Sequence, residues 1–497
     1  MNYYIGIDSG GTYMKAALFD AQGQLQTLAR RPAQVINQQQ GWVERDLDSL
    51  WQDTALVLQD LMAQTSIPAE QIKGISISAQ GKGVYLLDKQ RQNLGHGIMS
   101  SDSRSLAIVK DWLAKGVHQS AYPLSKQTLW TGHPVSILRW IKENQPERYN
   151  KIGAVLMAHD YLRFRLTGEI HAEVTNMSES HCYHSQRQDY DDELLALFGL
   201  EELREALPPL IEPHQQAGKL TEQAAQETGL SVGTPVFGGL FDVVSTALCS
   251  GITPSHSQFN VVMGTWSVIS AIHDHIPDTD YPFVYGQYAN QGQYILHEAS
   301  PTSASNYQWF ADLMTPDGQW DHQSNQQAVE GLQPAGSDLL FVPFLFGSNQ
   351  GLGIKAGFYG LQSHHSHAHM IQAIWEGIIF ALCVHLDRLR TGFPNTDELI
   401  VTGGPTANPV WMQMLADITN MKVTTTGIEE AGALGAAMVA MVGAGEYSDY
   451  SQCRQYWHSE EQHFTPRAKY RQAYQDKYQQ YSQLVGLFAQ FEASKHD

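Results

Sequence analysis

Basic residues are scarce in this chain of 497 residues. Lysine and arginine total 31 against 51 aspartates and glutamates, a formal net charge of −20, and charged residues of both signs make up only 16%. Nucleic acid or an anionic membrane surface needs a basic footprint that this composition does not supply. An anionic small molecule stays open, because backbone N–H groups can hold one locally. Cysteine is scarce too. Cys182, Cys249, Cys383 and Cys453 are far apart and form no CxxC pair, which excludes a disulfide frame or zinc ribbon and fits a reducing compartment. Long apolar runs are absent: the uncharged, small-residue stretch Ala431 to Gly445 is too short and too glycine-rich to span a bilayer. The opening MNYYIGIDSGG reaches an acid without a basic n-region, so no secretory signal is expected. The expectation is a cytoplasmic protein without membrane or nucleic-acid partner, in which Asn176-Met177-Ser178 is a chance sequon. Also missing are GxxxxGK[ST], HRD and DFG, which excludes a P-loop and a protein-kinase site.

What is present is a repeated strand–glycine–strand pattern in a chain long enough for several domains of roughly 100–200 residues. Tyr3 to Ile7 is β-rich and ends in Asp8-Ser9-Gly10-Gly11-Thr12. No amphipathic helix follows, as a dinucleotide-binding turn would demand. Met14 to Asp20 reads as a second strand, Ala21-Gln22-Gly23 as a turn and Gln24 to Arg30 as a third strand, so the start is a meander. Asp48 to Gln64 has helical spacing, and Ile72 to Ser78 alternates like a strand. Tyr122 to Gly168 reads as mostly helical, broken at Gly132-His133-Pro134, and His184 to Asp192 as a polar segment. A helix is predicted over Asp242 to Ser250 and a strand over Gln258 to Met263, which ends in Gly264-Thr265-Trp266-Ser267 and continues as Val268-Ile269-Ser270. The repetition predicts two related halves joined near residues 245–255. Further on come helices over Met370 to Leu389, Val410 to Thr419 and Gly432 to Val442, and a strand at Leu399 to Thr402. Tyr470, Tyr474, Tyr478 and Tyr481 lie at helical spacing, as in a docked terminal helix.

The chemistry concentrates at the turns. Gly10 and Gly11 in a tight hairpin let backbone N–H groups face an anion, Thr12 offers a hydroxyl and Lys15 a point charge. Asp8 at the strand end suits magnesium-bound water. An ordinary Gly-Gly hairpin would look the same, but Gly264-Thr265 repeats the pattern, and two such turns fit a polyphosphate. Gly403-Gly404-Pro405, between a strand and a helix, is a third close-approach turn suited to a purine and ribose. Asp242 either caps its helix or points into a site as a base. Gln80, Lys82, Asp102, Arg104 and Asp160 are polar turn candidates for sugar hydroxyls. His364-His365-Ser366-His367-Ala368-His369 lacks a metal-binding frame and reads as a solvated turn.

In this order the motifs resemble the FGGY carbohydrate kinase family over about residues 3–450. Asp8-x-Gly10-x-Thr12-x-x-Lys15, Gly41-Trp42-x-Glu44-x-Asp46, Ser78-x-Gln80, Asp160-Tyr161-Leu162 with Leu166-Thr167-Gly168, Gly239 to Asp242, Gly264-Thr265, and Gly403-Gly404 through Trp411-x-Gln413-Met414-Leu415-Ala416-Asp417 carry the resemblance. It implies an α/β, two-domain actin/hexokinase-like (ribonuclease H-like) ATPase fold with a central interdomain cleft. Its parts would be a sugar-binding domain over 1–248, a nucleotide-binding domain over 249–450 and a docked helical tail over 451–497. It also implies ATP-dependent phosphorylation of a ketose at its terminal hydroxyl, with ATP and Mg2+ required. Asp242 is the implied catalytic base. The implied sugar contacts are Gln80, Gly81, Lys82, Asp102, Asp160 and Asp242, and the implied ATP contacts are Asp8, Gly10, Gly11, Thr12, Lys15, Gly264, Thr265, Gly403, Gly404 and Asn408. Asp8 would hold Mg2+ through water. The runs Ser78 to Gly83 and Gln127 to Ser136 resemble the branch acting on L-xylulose or 3-keto-L-gulonate. Kinases for D-xylulose or L-ribulose, or a nucleotide-driven switch of the same fold, are the alternatives, and a homodimer is left open. The chain departs from the family at Gly11, often threonine, at Val243, often glutamine, at Gly81-Lys82, Met-His in D-xylulose kinases, and at Trp266, often small.

Overall fold

The computed structural model describes residues 1–254, 257–264, 266–276, 283–315, 318, 320–348, 350, 353–428, 430–455 and 460–495. The elements that position the site are, in chain order, strands β1 (Tyr3–Ser9), β2 (Tyr13–Asp20) and β3 (Leu25–Pro32), helix α1 (Leu47–Ala63), β4 (Ile72–Ala79), α2 (Ala158–Thr167), α3 (Val174–Met177), β5 (Pro235–Phe237), β6 (Leu240–Phe241), α4 (Asp242–Ser250), β7 (Gln258–Met263), β8 (Ser267–His273), α5 (His367–Gly392), β9 (Glu398–Thr402), α6 (Pro409–Thr419), β10 (Lys422–Thr425), α7 (Ala431–Gly443), β11 (Gln462–Phe464) and α8 (Arg471–Ala493). The chain divides into two compact units. The first comprises Met1–Gly251, Ile272–Leu296 and Glu430–His458, and the second Ile252–Ala271, His297–Glu429 and Ser459–Asp497.

In the first unit, the predicted meander is the antiparallel run β1–β2–β3. β4 returns parallel to β1 and carries β5 and β6 on its other edge, both parallel to it. Helix α1 begins at Asp46, whose carboxylate accepts from the Ser49 N–H, and buries Leu50, Trp51, Leu58 and Leu61, so its start follows ordinary N-cap chemistry. The sheet is covered by α7, an almost uninterrupted small-residue helix buried from Ala431 to Met441. It lies so close that a Cβ on Gly6 of β1 would stand 1.8 Å from the Ala433 carbonyl oxygen. Helix α4 packs beside it, with the Ser245 hydroxyl donating to the Gly432 carbonyl at 2.7 Å.

The second unit repeats the opening move. β7 and β8 form an antiparallel hairpin, β9 lies parallel to β7, β10 is parallel to β9, and β11 closes antiparallel on β10. Hairpin followed by a parallel return is the repeat anticipated from the two glycine turns. Helix α5 is long and apolar enough to cross a membrane by length and composition, but most of its residues are buried inside the unit. Helix α8 docks on it: Lys477 meets Glu376 at 2.5 Å, with both side chains buried, and Tyr478 donates to Asp387 at 3.0 Å.

Three readings of the sequence change. The stretch expected to be mostly helical contains a strand, Ile152–Leu156, antiparallel to Tyr85–Asp88. Its five-residue apolar run fits either state by periodicity, and length decides for strand. The polar segment 184–192 contributes to a small hairpin, Tyr183–His184 on Asp189–Tyr190, with His184, Ser185 and Asp191 buried. Within the histidine tract, α5 starts at His367, and Ser366 and His369 form a capping box.

Gly6→Ala is expected to destabilise the protein by about 1–3 kcal/mol or more, as overpacking against an immovable carbonyl does. Urea unfolding measures it, and an unchanged midpoint would show that α7 can lift off β1 freely.

Candidate active site

Asp8, Ser78 and Leu240 lie side by side at the carboxyl ends of the parallel strands β1, β4 and β6. In α/β sheets this is where ligands bind. The chain leaves β6 directly into α4, whose N-cap is Phe241 with no side-chain cap bond. Asp242 is therefore the first helical residue rather than the cap, and its carboxylate accepts from the neighbouring Val243 N–H. Asp8 faces the first turn of α7: a Cβ on Gly432 would come within 2.7 Å of its carboxylate. Burial pushes the Asp8 carboxyl up to about 6, with Lys15 opposing the rise. Asp242 is pushed up to about 7, first by burial and then by the negative charge of Asp8. Two carboxyls both raised by burial and within reach of each other's field are characteristic of acid–base sites.

The first glycine turn sits beside them. Gly10 donates to the Tyr13 carbonyl at 3.1 Å, and its own carbonyl is held by the buried Arg45 guanidinium at 2.6 Å. Gly11 and Thr12 are exposed, and nothing lies within 4 Å of where a Gly11 Cβ would be, so the turn's tip is open. Lys15, opposite Asp8 in the hairpin register, is paired with Glu430 at 2.7 Å.

Gln80, Gly81 and Lys82 follow β4. Gln80 donates to the Tyr85 hydroxyl at 2.7 Å, and Gly81 lies flat against the Phe241 ring. Lys82 has a left-handed backbone (φ 62°), and the Asn176 side-chain oxygen accepts its N–H at 2.8 Å. Its ammonium meets Glu179 at 2.5 Å and lies 5.2 Å from the centre of the Phe241 ring. These residues, Asp8 and Asp242 belong to one cluster.

Asp102 and Asp160 are placed differently. Asp102 is fully buried, accepting from the Val43 N–H at 2.7 Å and from Arg104, whose guanidinium stacks 3.9 Å from Trp42. Asp160 accepts from the Met157 and Glu173 N–H groups and from Arg163. Both carboxylates have interior partners in this structure. Arg104 is correspondingly part of the interior.

In the second unit, Gly264 donates to the Trp266 carbonyl at 3.0 Å in the β7–β8 turn, and Trp266 is exposed. Thr265 lies outside the described residues. Gly403 (φ 109°) backs onto the same strand end, where a Cβ would meet the Met263 carbonyl at 2.1 Å. Gly404 opens a short 3-10 turn, and Asn408 caps α6 by accepting from the Trp411 N–H. The second and third glycine turns are thus neighbours.

The sequence motifs do not mark Arg45, Glu179 and Glu430, which touch the cluster, or Asn176, which reads in sequence only as a chance sequon yet is fully buried. The small-residue run of α7 signals a close helix–sheet contact, and Glu430 immediately precedes it. Nothing local marks Glu179, which arrives through tertiary folding.

Residues 3–249 match the N-terminal domain, and residues 259–444 the C-terminal domain, of the FGGY family of carbohydrate kinases. The chain belongs to that family. It is 53% identical over 488 residues to a probable L-xylulose kinase of Pasteurella multocida, covering 98% of this chain and 99% of the relative. It is 46% identical over 492 residues to the L-xylulose/3-keto-L-gulonate kinase of Escherichia coli, covering 99% and 98%. Among solved structures, it resembles the ligand-bound xylulose kinase of Lactobacillus acidophilus with a TM-score of 0.89, 22% identity and 98% and 99% coverage. Plasmodium falciparum glycerol kinase with ADP follows with a TM-score of 0.85, 19% identity and 98% of each chain covered. The fold is that of these two-domain, actin/hexokinase-like sugar kinases.

Because the Asp8 charge helps to hold Asp242 protonated, Asp8→Asn is expected to lower the Asp242 midpoint below about 7. Carboxyl-carbon NMR titration reads it, and a midpoint that stays put or rises would show that the two acids are not coupled.

Proposed function

We propose that the protein transfers the γ-phosphoryl group of ATP to the terminal hydroxyl of a ketose, L-xylulose or 3-keto-L-gulonate by similarity to its relatives, with Asp242 as general base. The observation that carries this reading is the Asp242 carboxylate: on the first helical residue rather than the cap, partly buried at the strand ends, and poised at about 7. A base whose pKa lies near working pH combines a large ionised fraction with good driving force. As the sugar oxygen attacks the γ-phosphorus, Asp242 accepts its proton. The bond to the β,γ-bridging oxygen breaks and ADP leaves with that electron pair. Gln80 and Lys82 orient the ketose, and the Phe241 ring lies behind them.

For the nucleotide, we assign the Gly10–Thr12 turn and Lys15 in the first unit, and Gly264, Thr265, Gly403, Gly404 and Asn408 in the second. Lys15 is already neutralised by Glu430, so a phosphate recruits it by competing with that carboxylate. Asp8 fits a magnesium ion: its donor is a hard carboxylate oxygen, and Gly432 places no side chain against it, where a Cβ would stand 2.7 Å from the carboxylate. Magnesium keeps several waters and favours a few carboxylates plus phosphates. When bound, it supplies charge neutralisation to the transferring phosphoryl. Four unpaired cysteines agree with a reducing, cytoplasmic setting.

Asp242→Asn is expected to lower kcat by about 10²–10⁴-fold while ATP binding persists. Coupled ADP release across pentuloses, hexuloses and 3-keto-L-gulonate is the assay, and near-normal turnover by the variant would sink the assignment. Since the base acts ionised, kcat/KM of the wild type is expected to fall as pH drops through about 7. A profile flat down to pH 5 would assign the base elsewhere.

A further inference from the structure

We infer that Glu179 sets the charge selectivity of the sugar pocket: by neutralising Lys82 it favours a neutral ketose over one that carries a carboxylate. The inference rests on the kinase reading above and concerns the substrate class within it. Glu179 has no exposure and Lys82 little, and their charged groups are 2.5 Å apart.

The pair is braced on both sides. Lys82 is fixed by the Asn176 bond to its N–H and by its left-handed backbone. Glu179 stands against Gly286, where a Cβ would meet its carboxylate at 2.4 Å. Its neighbour Ser178 accepts the Gln287 N–H at 2.8 Å, and its own N–H is held by the Asn176 carbonyl at 3.0 Å.

The charges near Asp242 make the consequence definite. Asp8, Asp242, Glu179 and Glu430 supply carboxyl groups, Lys15 and Lys82 supply ammonium groups, each already paired with a glutamate, and the Arg45 guanidinium is held by the Gly10 carbonyl and Ser9. A ketose hydroxyl can accept from Lys82 without displacing Glu179. A substrate carboxylate must draw the ammonium away from Glu179 and then lie beside that buried anion. Juxtaposed like charges in such surroundings are a strong source of discrimination. A role in packing alone would affect both substrates equally.

The test compares kcat/KM for L-xylulose with that for 3-keto-L-gulonate. Wild type is expected to prefer the neutral sugar, and Glu179→Gln to shift the ratio toward the acid by about tenfold or more, the scale on which close charge pairs act. Glu179→Asp, which keeps the charge, is expected to hold the ratio near the wild-type value. Should Glu179→Gln fail to fold with Lys82 unpaired, the double variant Lys82→Met/Glu179→Gln, which buries no lone charge, decides. Its ratio is expected to lie above that of wild type. A wild type that prefers the acid, or an unchanged ratio in a folded Glu179→Gln or in the double variant, overturns the inference and leaves the kinase reading standing. A wild type inert toward every ketose sinks the kinase reading and the inference with it.

Discussion

The contact between Gly6 and the Ala433 carbonyl governs the first unit. With no side chain on β1 at that point, α7 settles onto the sheet at a distance no other residue permits. That depth carries the first turn of α7 to the end of β1, where Gly432 abuts the Asp8 carboxylate and Glu430 reaches Lys15. It also brings α7 against α4, where Ser245 and Cys249 donate to the carbonyls of Gly432 and Ala431. The position of Asp242 is therefore tied to the same approach. Small residues in α7 are the means, since a helix of ordinary side chains would stand further off.

The electrostatics of the cluster follow from this geometry. Asp8 lies at the amino end of α7, and its carboxyl is raised because burial outweighs the nearby Lys15 ammonium. Asp242 feels burial and Asp8 in the same direction. Each lysine is paired with a glutamate that the motif residues did not reveal. This qualifies the scarcity of basic residues in the chain. An anion at the cluster would rely on open backbone at Gly11, the Thr12 hydroxyl and a cation at Asp8, and less on free lysine. A chain of net charge −20 is compatible with binding ATP on those terms.

Much of the fold was legible because it rests on local rules. Gly10-Gly11 between two apolar runs gives a hairpin, the helical spacing from Asp48 falls within α1, and Asp242 to Ser250 is α4. The repeat of hairpin and parallel return showed in the two Gly-Thr turns. Ile152–Leu156 did not, because five apolar residues carry no period that separates strand from helix. The candidate site was legible where strand ends meet glycine turns, as at Asp8, Gly10 and Asp242. It was not legible where a side chain comes from far along the chain, as with Glu179, 97 residues from Lys82.

Asp160 shows how a motif residue can order the backbone around it. Its carboxylate closes the first turn of α2 by accepting from the Met157 N–H and fixes the Arg163 guanidinium at 2.9 Å. Arg163 in turn donates to the Gly238 carbonyl, in the turn between β5 and β6. From the other side, Glu173 accepts from the Thr175 hydroxyl at 2.7 Å, and Thr175 accepts the Phe241 N–H at 3.0 Å. Two buried acids thereby hold the backbone immediately before Asp242, one through an arginine and one through a threonine. Buried charges are retained only when paired and fully hydrogen-bonded, and here the pairing fixes the segment that delivers the poised carboxylate. The polar character of Asp160 is what orders this support.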